Sequence, residues 1–377
     1  MSLINYLTKI HFADNVLEEA LAAELELIDL HRPLIVTDAG VADAGLTARL
    51  IDGLPAAHDQ EMFVADSGRA SESACRTAAE LYRNAGCDGL IAFGGGSVID
   101  LAKAIALRAS HDGPLDQYAA HEGGVIRIRN VIPPIIAIPT TAGTGSEVVG
   151  TATIMPDDGT AFVLRSSYLI PKVAICDPTL TLALPAELTA GTGMDALTHC
   201  IETYLSMAYN PPADGIALDG LRRVAANIER AVHEGADLDA RREMMAAALN
   251  GALALQKGLG GVHAISNALG ALPGYDLHHG TLNAVLLPHV IEFNAPAVGE
   301  RLDAVASVVR LDRNGDLVAG LVRLAERLGL PARLNEVGVD KSAIADAAAL
   351  AERDFTNRTN PRRAHAADYL RLMRAAL

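Results

Sequence analysis

Residues 1–190 alternate short β-rich runs with helical patterns, and this alternation narrows the available folds more than any other feature of the chain. Tyr6 to Phe12 reads as an edge strand, followed by an Asp14-Asn15 cap and a helix through Leu30. Pro33-Leu34-Ile35-Val36-Thr37-Asp38 is a buried strand, and Val41 to Leu50 is helical. His58 to Val64, the helix from Ser71 to Ala85, and Gly89-Leu90-Ile91-Ala92-Phe93 repeat the unit. Strands separated by helices pair in parallel, and the helices then cover both faces of the sheet. Val148 to Met155 and Thr160 to Arg165 flank a Pro156-Asp157-Asp158-Gly159 turn and predict a hairpin, and Val173 to Cys176 predicts the last strand. From Leu188 onward the strand signal vanishes. Helical patterns cover 187–206, 211–234, 238–257, 260–271 and 281–294 and continue to the C-terminus, broken at Pro211-Pro212, Gly235 and Pro331. The expectation is an α/β domain over 1–180, with a parallel sheet covered on both faces, and an all-α domain over 181–377.

The formal net charge of −15 argues against nucleic acid or an anionic membrane as partner. The longest apolar run, Val131 to Ile138, is broken by Pro133 and Pro134 and is too short to span a bilayer. Met1 to Tyr6 lacks the basic start and apolar stretch of a signal peptide. Cys75, Cys87, Cys176 and Cys200 have no CxxC spacing and read as free thiols. A cytoplasmic protein acting on a small molecule is the expectation.

Two turns in the first half suit a phosphate-bearing cofactor. Gly94-Gly95-Gly96-Ser97 follows a strand and opens a helix containing Asp100 and Lys103. Glycines let a backbone approach a phosphate, and a helix N-terminus offers free N–H groups and positive potential. A bare tight turn is the competing reading, since the pattern is not GxGxxG. Pro139-Thr140-Thr141-Ala142-Gly143-Thr144-Gly145-Ser146 ends another strand in a loop of hydroxyls and backbone amides. Asp38 closes the second strand, where a carboxylate can bond a ribose hydroxyl and would repel a 2′-phosphate, favouring NAD over NADP. Its competing reading is the N-cap of the following helix.

The helical half carries polar groups in apolar surroundings. Asp195 and His199 are four apart and share a helix face among Met194, Ala196, Leu197, Cys200 and Ile201. His263 lies in a second apolar segment, and His278-His279-Gly280 opens a third. Burying a polar group without compensation costs roughly 2–7 kcal/mol, and a charge costs more. A divalent metal would compensate all of them: three imidazoles and a carboxylate suit iron or zinc. On the Asp195/His199 segment alone, a hydrogen-bonded pair at a helix start is the competing reading.

The chain resembles the iron-containing (group III) alcohol dehydrogenases in four ordered motifs. They are Gly94-Gly95-Gly96-Ser97-x-x-Asp100-x-Ala102-Lys103, Pro139 to Glu147, Gly193-Met194-Asp195-Ala196-Leu197-Thr198-His199-x-x-Glu202, and His263-Ala264-Ile265-Ser266. Leu287-Pro288-His289 and Asn360-Pro361-Arg362 add to the likeness. The resemblance implies an N-terminal dinucleotide-binding α/β domain, a C-terminal helical metal domain and a cleft between them, with Asp195, His199, His263 and His279 as metal ligands. It implies that Gly94, Gly95, Gly96, Ser97, Asp100, Thr140, Thr141, Thr144 and Ser146 hold the cofactor, with Asp38 selecting NAD. Three positions depart from the family pattern: Asn267 stands where a second histidine is usual, His278 where a proline precedes the last ligand, and Phe162 where a lysine is frequent.

The resemblance implies hydride transfer between a primary alcohol, or its aldehyde, and NAD(H), with iron(II), or else zinc, on the substrate oxygen and Asn267 near the reacting atoms. Arg165, and Arg127 or Arg129, would admit an acidic substrate such as 4-hydroxybutyrate, or a maleylacetate-type reductase, as the alternative. A dehydroquinate synthase-like lyase is the more distant one. A homodimer or higher homo-oligomer through the Tyr6–Phe12 edge is a further implication of the family.

Overall fold

The structure is a computed structural model, and it describes residues 4–55, 60–66, 69–311 and 315–377. The chain divides into two compact units.

The first unit comprises Tyr6–Thr141 and Gly145–Ala183. Its elements run β1 (Lys9–Phe12), α1 (Leu17–Leu27), β2 (Pro33–Asp38), α2 (Ala39–Asp43), α3 (Leu46–Asp52), β3 (Glu61–Ala65), α4 (Glu72–Ala85), β4 (Gly89–Gly94), α5 (Gly96–Ser110), β5 (Ile135–Pro139), β6 (Thr151–Ile154), β7 (Phe162–Arg165) and β8 (Val173–Cys176). Six strands form a parallel sheet in the order β1-β8-β5-β4-β2-β3, while β6 and β7 make a separate antiparallel hairpin. The period-two geometry of strands explains the two cores. Leu34, Val36, Leu90, Ala92, Ile135 and Ala137 point into the layer packed by α4, α5 and the hairpin. Ile35, Ile91, Phe93, Ile136 and Ile138 point the other way, onto α1. Both faces are buried, so β4 and β5 carry no polar side chain and β2 is apolar from Pro33 to Val36.

The structure departs from the sequence expectation in several details, the first being that α1 has Val16 at its N-cap with no side-chain cap, in place of an Asp14-Asn15 cap. The helix expected over Val41 to Leu50 is two short helices, because Gly45 takes a left-handed φ of 73° between them. The first helix stops at Leu27 rather than Leu30, because Asp29 turns left-handed and the Leu30 amide closes back on the Leu25 carbonyl. His58, where the third strand was expected to begin, lies outside the described residues.

The second unit comprises Met1–Asn5, Ala142–Thr144 and Leu184–Leu377. Its helices are α6 (Ala186–Leu205), α7 (Pro211–His233), α8 (Leu238–Ala254), α9 (Gly261–Ala271), α10 (His279–Val298), α11 (Glu300–Val309), α12 (Leu317–Arg327), α13 (Ala343–Arg353) and α14 (Ala366–Ala376). The central helix is α6, whose residues from Gly193 to Leu205 are all buried. Its approach to α10 is as close as backbone permits. A methyl group on Gly280 would collide with the Gly191 carbonyl oxygen and come within 3.2 Å of the Asp195 Cβ. Only glycine at 280 lets the start of α10 lie against the turn that carries Asp195. Among the described residues no helix is long and apolar enough to cross a membrane.

Gly280→Ala therefore destabilises the helical unit by about 1–3 kcal/mol through overpacking. Denaturant unfolding of the metal-free protein measures the loss, and an unchanged midpoint would contradict this contact.

Candidate metal centre

The helical unit brings its buried polar groups to one point. Asp195 and His199 sit one turn apart on α6, His263 in the first turn of α9, and His279 at the first residue of α10. Asp195, His263 and His279 each offer a ligand atom, and these atoms all lie within 4.8 Å of one another. His199 borders them: its Nε2 is 3.7 Å from Asp195 Oδ1, and its ring stacks on His263 at 4.6 Å between centroids. Its Nδ1 is buried beside the Gly143 backbone without a hydrogen bond of good geometry. His263 Nε2 stands 3.5 Å from Asp195 Oδ1.

Two further side chains hold this cluster. Asn283, one turn beyond His279, donates from Nδ2 to Asp195 Oδ1 at 2.8 Å. Glu202 Oε2 lies 2.7 Å from His263 Nδ1. Neither role was read from the sequence. The signal for Asn283 was present, as a polar residue four after His279 and directly before the apolar run Ala284 to Pro288. His278 is turned away from the cluster and caps α10, its Nδ1 accepting the Thr281 amide at 3.3 Å.

Electrostatics fit a cation site. Burial pushes the Asp195 carboxyl up, but His199, His263 and His279 outweigh that and hold it far below the carboxylate range. Burial depresses His199, and it takes His279 down to about 3. Both imidazoles are therefore neutral near pH 7, which is the form that ligates metals. Burial also opposes charge on His263, but its bonds to Asp195 and Glu202 win and raise it to about 9. A buried carboxylate with neutral imidazoles beside it suits a divalent metal.

In the α/β unit, Gly94 ends β4, Gly95 precedes α5, and Gly96 and Ser97 are its first residues. A side chain on Gly94 would strike Val98 at 2.7 Å, so the turn is tight by necessity. No side chain caps α5, which leaves its first amides free for an anion. The Thr140 amide donates to the Gly94 carbonyl at 3.1 Å and seats the second loop against this turn. Thr141 Cγ2 is 3.3 Å from where a Gly95 side chain would begin, whereas Thr144 falls among the residues grouped with the helical unit. Asp38 Oδ1 caps α2 by accepting the Val41 amide at 2.9 Å.

Asp100 and Ser146 are engaged with the protein itself. Ser146 Oγ donates to Asp100 Oδ1 at 2.6 Å, and the Thr153 amide donates to Asp100 Oδ2 at 2.9 Å. Fully buried Lys103 ties the loop down with bonds to Ser146 O, Ser146 Oγ and Thr151 O. Phe162 is buried in the α4/α5 core layer. Asn267 donates to Asp354 at 3.2 Å and is not among the clustered groups.

The iron-containing alcohol dehydrogenase profile matches residues 8–178, and the C-terminal profile of the same family matches 189–377. The chain belongs to the iron-containing alcohol dehydrogenase family. It is accordingly an oxidoreductase. It is 48% identical over 384 residues to a 4-hydroxybutyrate dehydrogenase from Cupriavidus necator, covering 100% of both chains. It is 35% identical to a 1,3-propanediol dehydrogenase from Klebsiella pneumoniae, over 93% of this chain and 92% of that one. The crystal structure of a 1,3-propanediol oxidoreductase superposes with a TM-score of 0.91 at 34% identity, covering 100% of each chain. A sulfoacetaldehyde reductase from Bifidobacterium kashiwanohense, in complex with NAD+, gives 0.89 at 27% identity, over 100% of this chain and 98% of that one.

The cluster of Asp195, His263 and His279 has a testable pH dependence. The folded pKa of His263 is raised from 6.5 to about 9, so its proton stabilises the metal-free fold fully below pH 6.5, and that contribution is lost as pH rises through about 9. A metal bound at His263 would displace that proton, so zinc affinity should rise from pH 7 to 9 in chelator competition. His279→Ala abolishes stoichiometric metal by elemental analysis, whereas His278→Ala retains it.

Proposed function

We propose that this chain is an NAD-dependent, metal-dependent dehydrogenase of a primary alcohol, working physiologically in either direction between alcohol and aldehyde. The observation that carries the reading is the buried meeting of Asp195, His263 and His279, with His199 beside it. A divalent metal held by these four, iron(II) or else zinc, would polarise the substrate oxygen as a Lewis acid. NAD would supply the hydride acceptor.

The chain's own residues do the rest. Asp195 offsets the positive charge in a place water does not reach, which strengthens every electrostatic interaction there. Asn283 and Glu202 fix the orientation of the donors. Gly94, Gly95, Gly96 and Ser97 with the start of α5 would bind the cofactor's diphosphate. Thr140, Thr141 and Thr144 would line it. Asp38, with Oδ1 committed to its cap, has Oδ2 for a ribose hydroxyl. Asp100 and Ser146 would serve by shaping the loop through their mutual bond. An amide has no titrating proton near neutral pH, so Asn267 can hold a group by hydrogen bonding but cannot relay a proton by ionising. Residues 1–180 form the cofactor domain and 181–377 the catalytic domain in this reading.

The full-length likeness to a 4-hydroxybutyrate dehydrogenase favours a substrate that is both primary alcohol and carboxylate. Arg165, exposed at the end of β7, is the candidate carboxylate partner. Arg127, which donates to the Gln117 carbonyl, and Arg129 are further candidates. The free cysteines fit the cytoplasm. Among the described residues strand β1 pairs with β8 alone, and its other edge, near exposed Tyr6 and Leu7, is where a homodimer would add strands.

The test is NADH formation by anaerobically metal-loaded protein on matched panels of alcohols and ω-hydroxy acids. Turnover of 4-hydroxybutyrate above that of butanol is expected, and no NADH with any substrate would sink the proposal. Arg165→Ala should weaken hydroxy acids selectively, by roughly the 1.5–3 kcal/mol of a charge-assisted bond. Equal loss on neutral alcohols would remove Arg165 from substrate recognition.

A further inference from the structure

We propose that Glu202 is a positioning residue of the metal centre, holding His263 so that its Nε2 lone pair faces Asp195 and His279. The inference rests on the metal reading above. Asp195, His199 and Glu202 lie at i, i+4 and i+7 of α6 and so share one face of that helix. Helix α9 begins at Gly261 without any cap from its own N-terminal neighbour. Glu202 reaches in from α6 and supplies what is missing. Its Oε1 accepts the Val262 amide at 2.6 Å, and its Oε2 accepts the Gly260 amide at 3.0 Å and the His263 amide at 3.4 Å. The Gly261 amide goes to Asn360 Oδ1 at 2.9 Å.

A cap needs only backbone donors, yet Glu202 Oε2 makes a shorter contact, 2.7 Å, with the His263 ring nitrogen Nδ1. A carboxylate accepts and does not donate, so Nδ1 carries the hydrogen. In the neutral ring the lone pair is then on Nε2, the nitrogen 3.5 Å from Asp195 Oδ1. Stacking against His199, with 15° between the planes, holds the ring from its side. One buried carboxylate thus sets the tautomer of a ligand and anchors the helix that carries it, in the carboxylate–histidine–metal arrangement.

Glu202→Gln keeps the size but replaces an acceptor oxygen with a donor, so it cannot serve all four N–H groups. Asn360→Ala is the control, since it removes an acceptor from the same helix start and leaves the Glu202–His263 bond in place. Zinc affinity is read by chelator competition, and metal-free stability by thermal melting of each protein. Glu202→Gln should weaken zinc binding about 10–100-fold and shift the visible absorption of the cobalt(II)-loaded protein, whereas Asn360→Ala should do neither. Glu202→Asp, read in the same way, serves if the glutamine variant does not fold. Unchanged affinity in a folded Glu202 variant, or equal weakening in Asn360→Ala at matched loss of metal-free stability, reduces Glu202 to a helix cap and overturns the proposal. Wild-type protein that takes up neither zinc nor cobalt overturns the metal reading itself.

Discussion

Burying the Asp195 carboxylate is the constraint on which the helical unit depends. An isolated ion there would be costly enough to force protonation. The surrounding residues keep it charged instead: His199 one turn on, His263 and His279 from two other helices, and the Asn283 amide 2.8 Å from Oδ1. That requirement dictates the packing. Three helices must present their polar residues to one point, so α6 and α10 must approach until backbone meets backbone, and Gly280 and Gly191 supply the room. The site and the helix crossing are one arrangement.

The same economy of buried charge appears in the α/β unit. Lys103 is wholly enclosed, yet its ammonium meets Ser146 O, Ser146 Oγ and Thr151 O, with Asp100 3.5 Å away. Burial pushes Lys103 down, and the charges of Asp100 and Glu147 oppose that shift. Burial in turn pushes Glu147 up, while Lys103 opposes it. This network ties α5, which starts at the glycine turn, to the threonine-rich loop. Two candidate cofactor segments are thereby fixed relative to each other by groups that bind one another.

Much of the fold was legible because its signals are local. A strand buried on both faces is apolar along its buried length, as Pro33-Leu34-Ile35-Val36 is, and β2 contains those residues. Ser71 announces α4, and its side chain accepts the Ala74 amide as an N-cap should. The misplaced boundaries fall where one backbone conformation interrupts a pattern: Gly45 at φ 73° and Asp29 at φ 57°. Side-chain hydrophobicity does not encode those angles. The competing reading of Asp38 as a helix cap also proved visible in structure, through its bond to Val41.

The sequence by itself determined the two architectures, the family, and which buried polar residues are candidates for metal binding, since these follow from period, composition and motif order along the chain. Tertiary structure decided which of those residues meet. His278 and His279 are chemically identical in sequence, but the start of α10 sends one to the helix cap and the other to Asp195. Glu202 and Asn283 gained their roles only when α6, α9 and α10 converged, Glu202 facing a ring 61 positions away and Asn283 a carboxylate 88 positions away. Hydrogen bonding acts over about 3 Å, and no local pattern specifies which distant residues will come within that range.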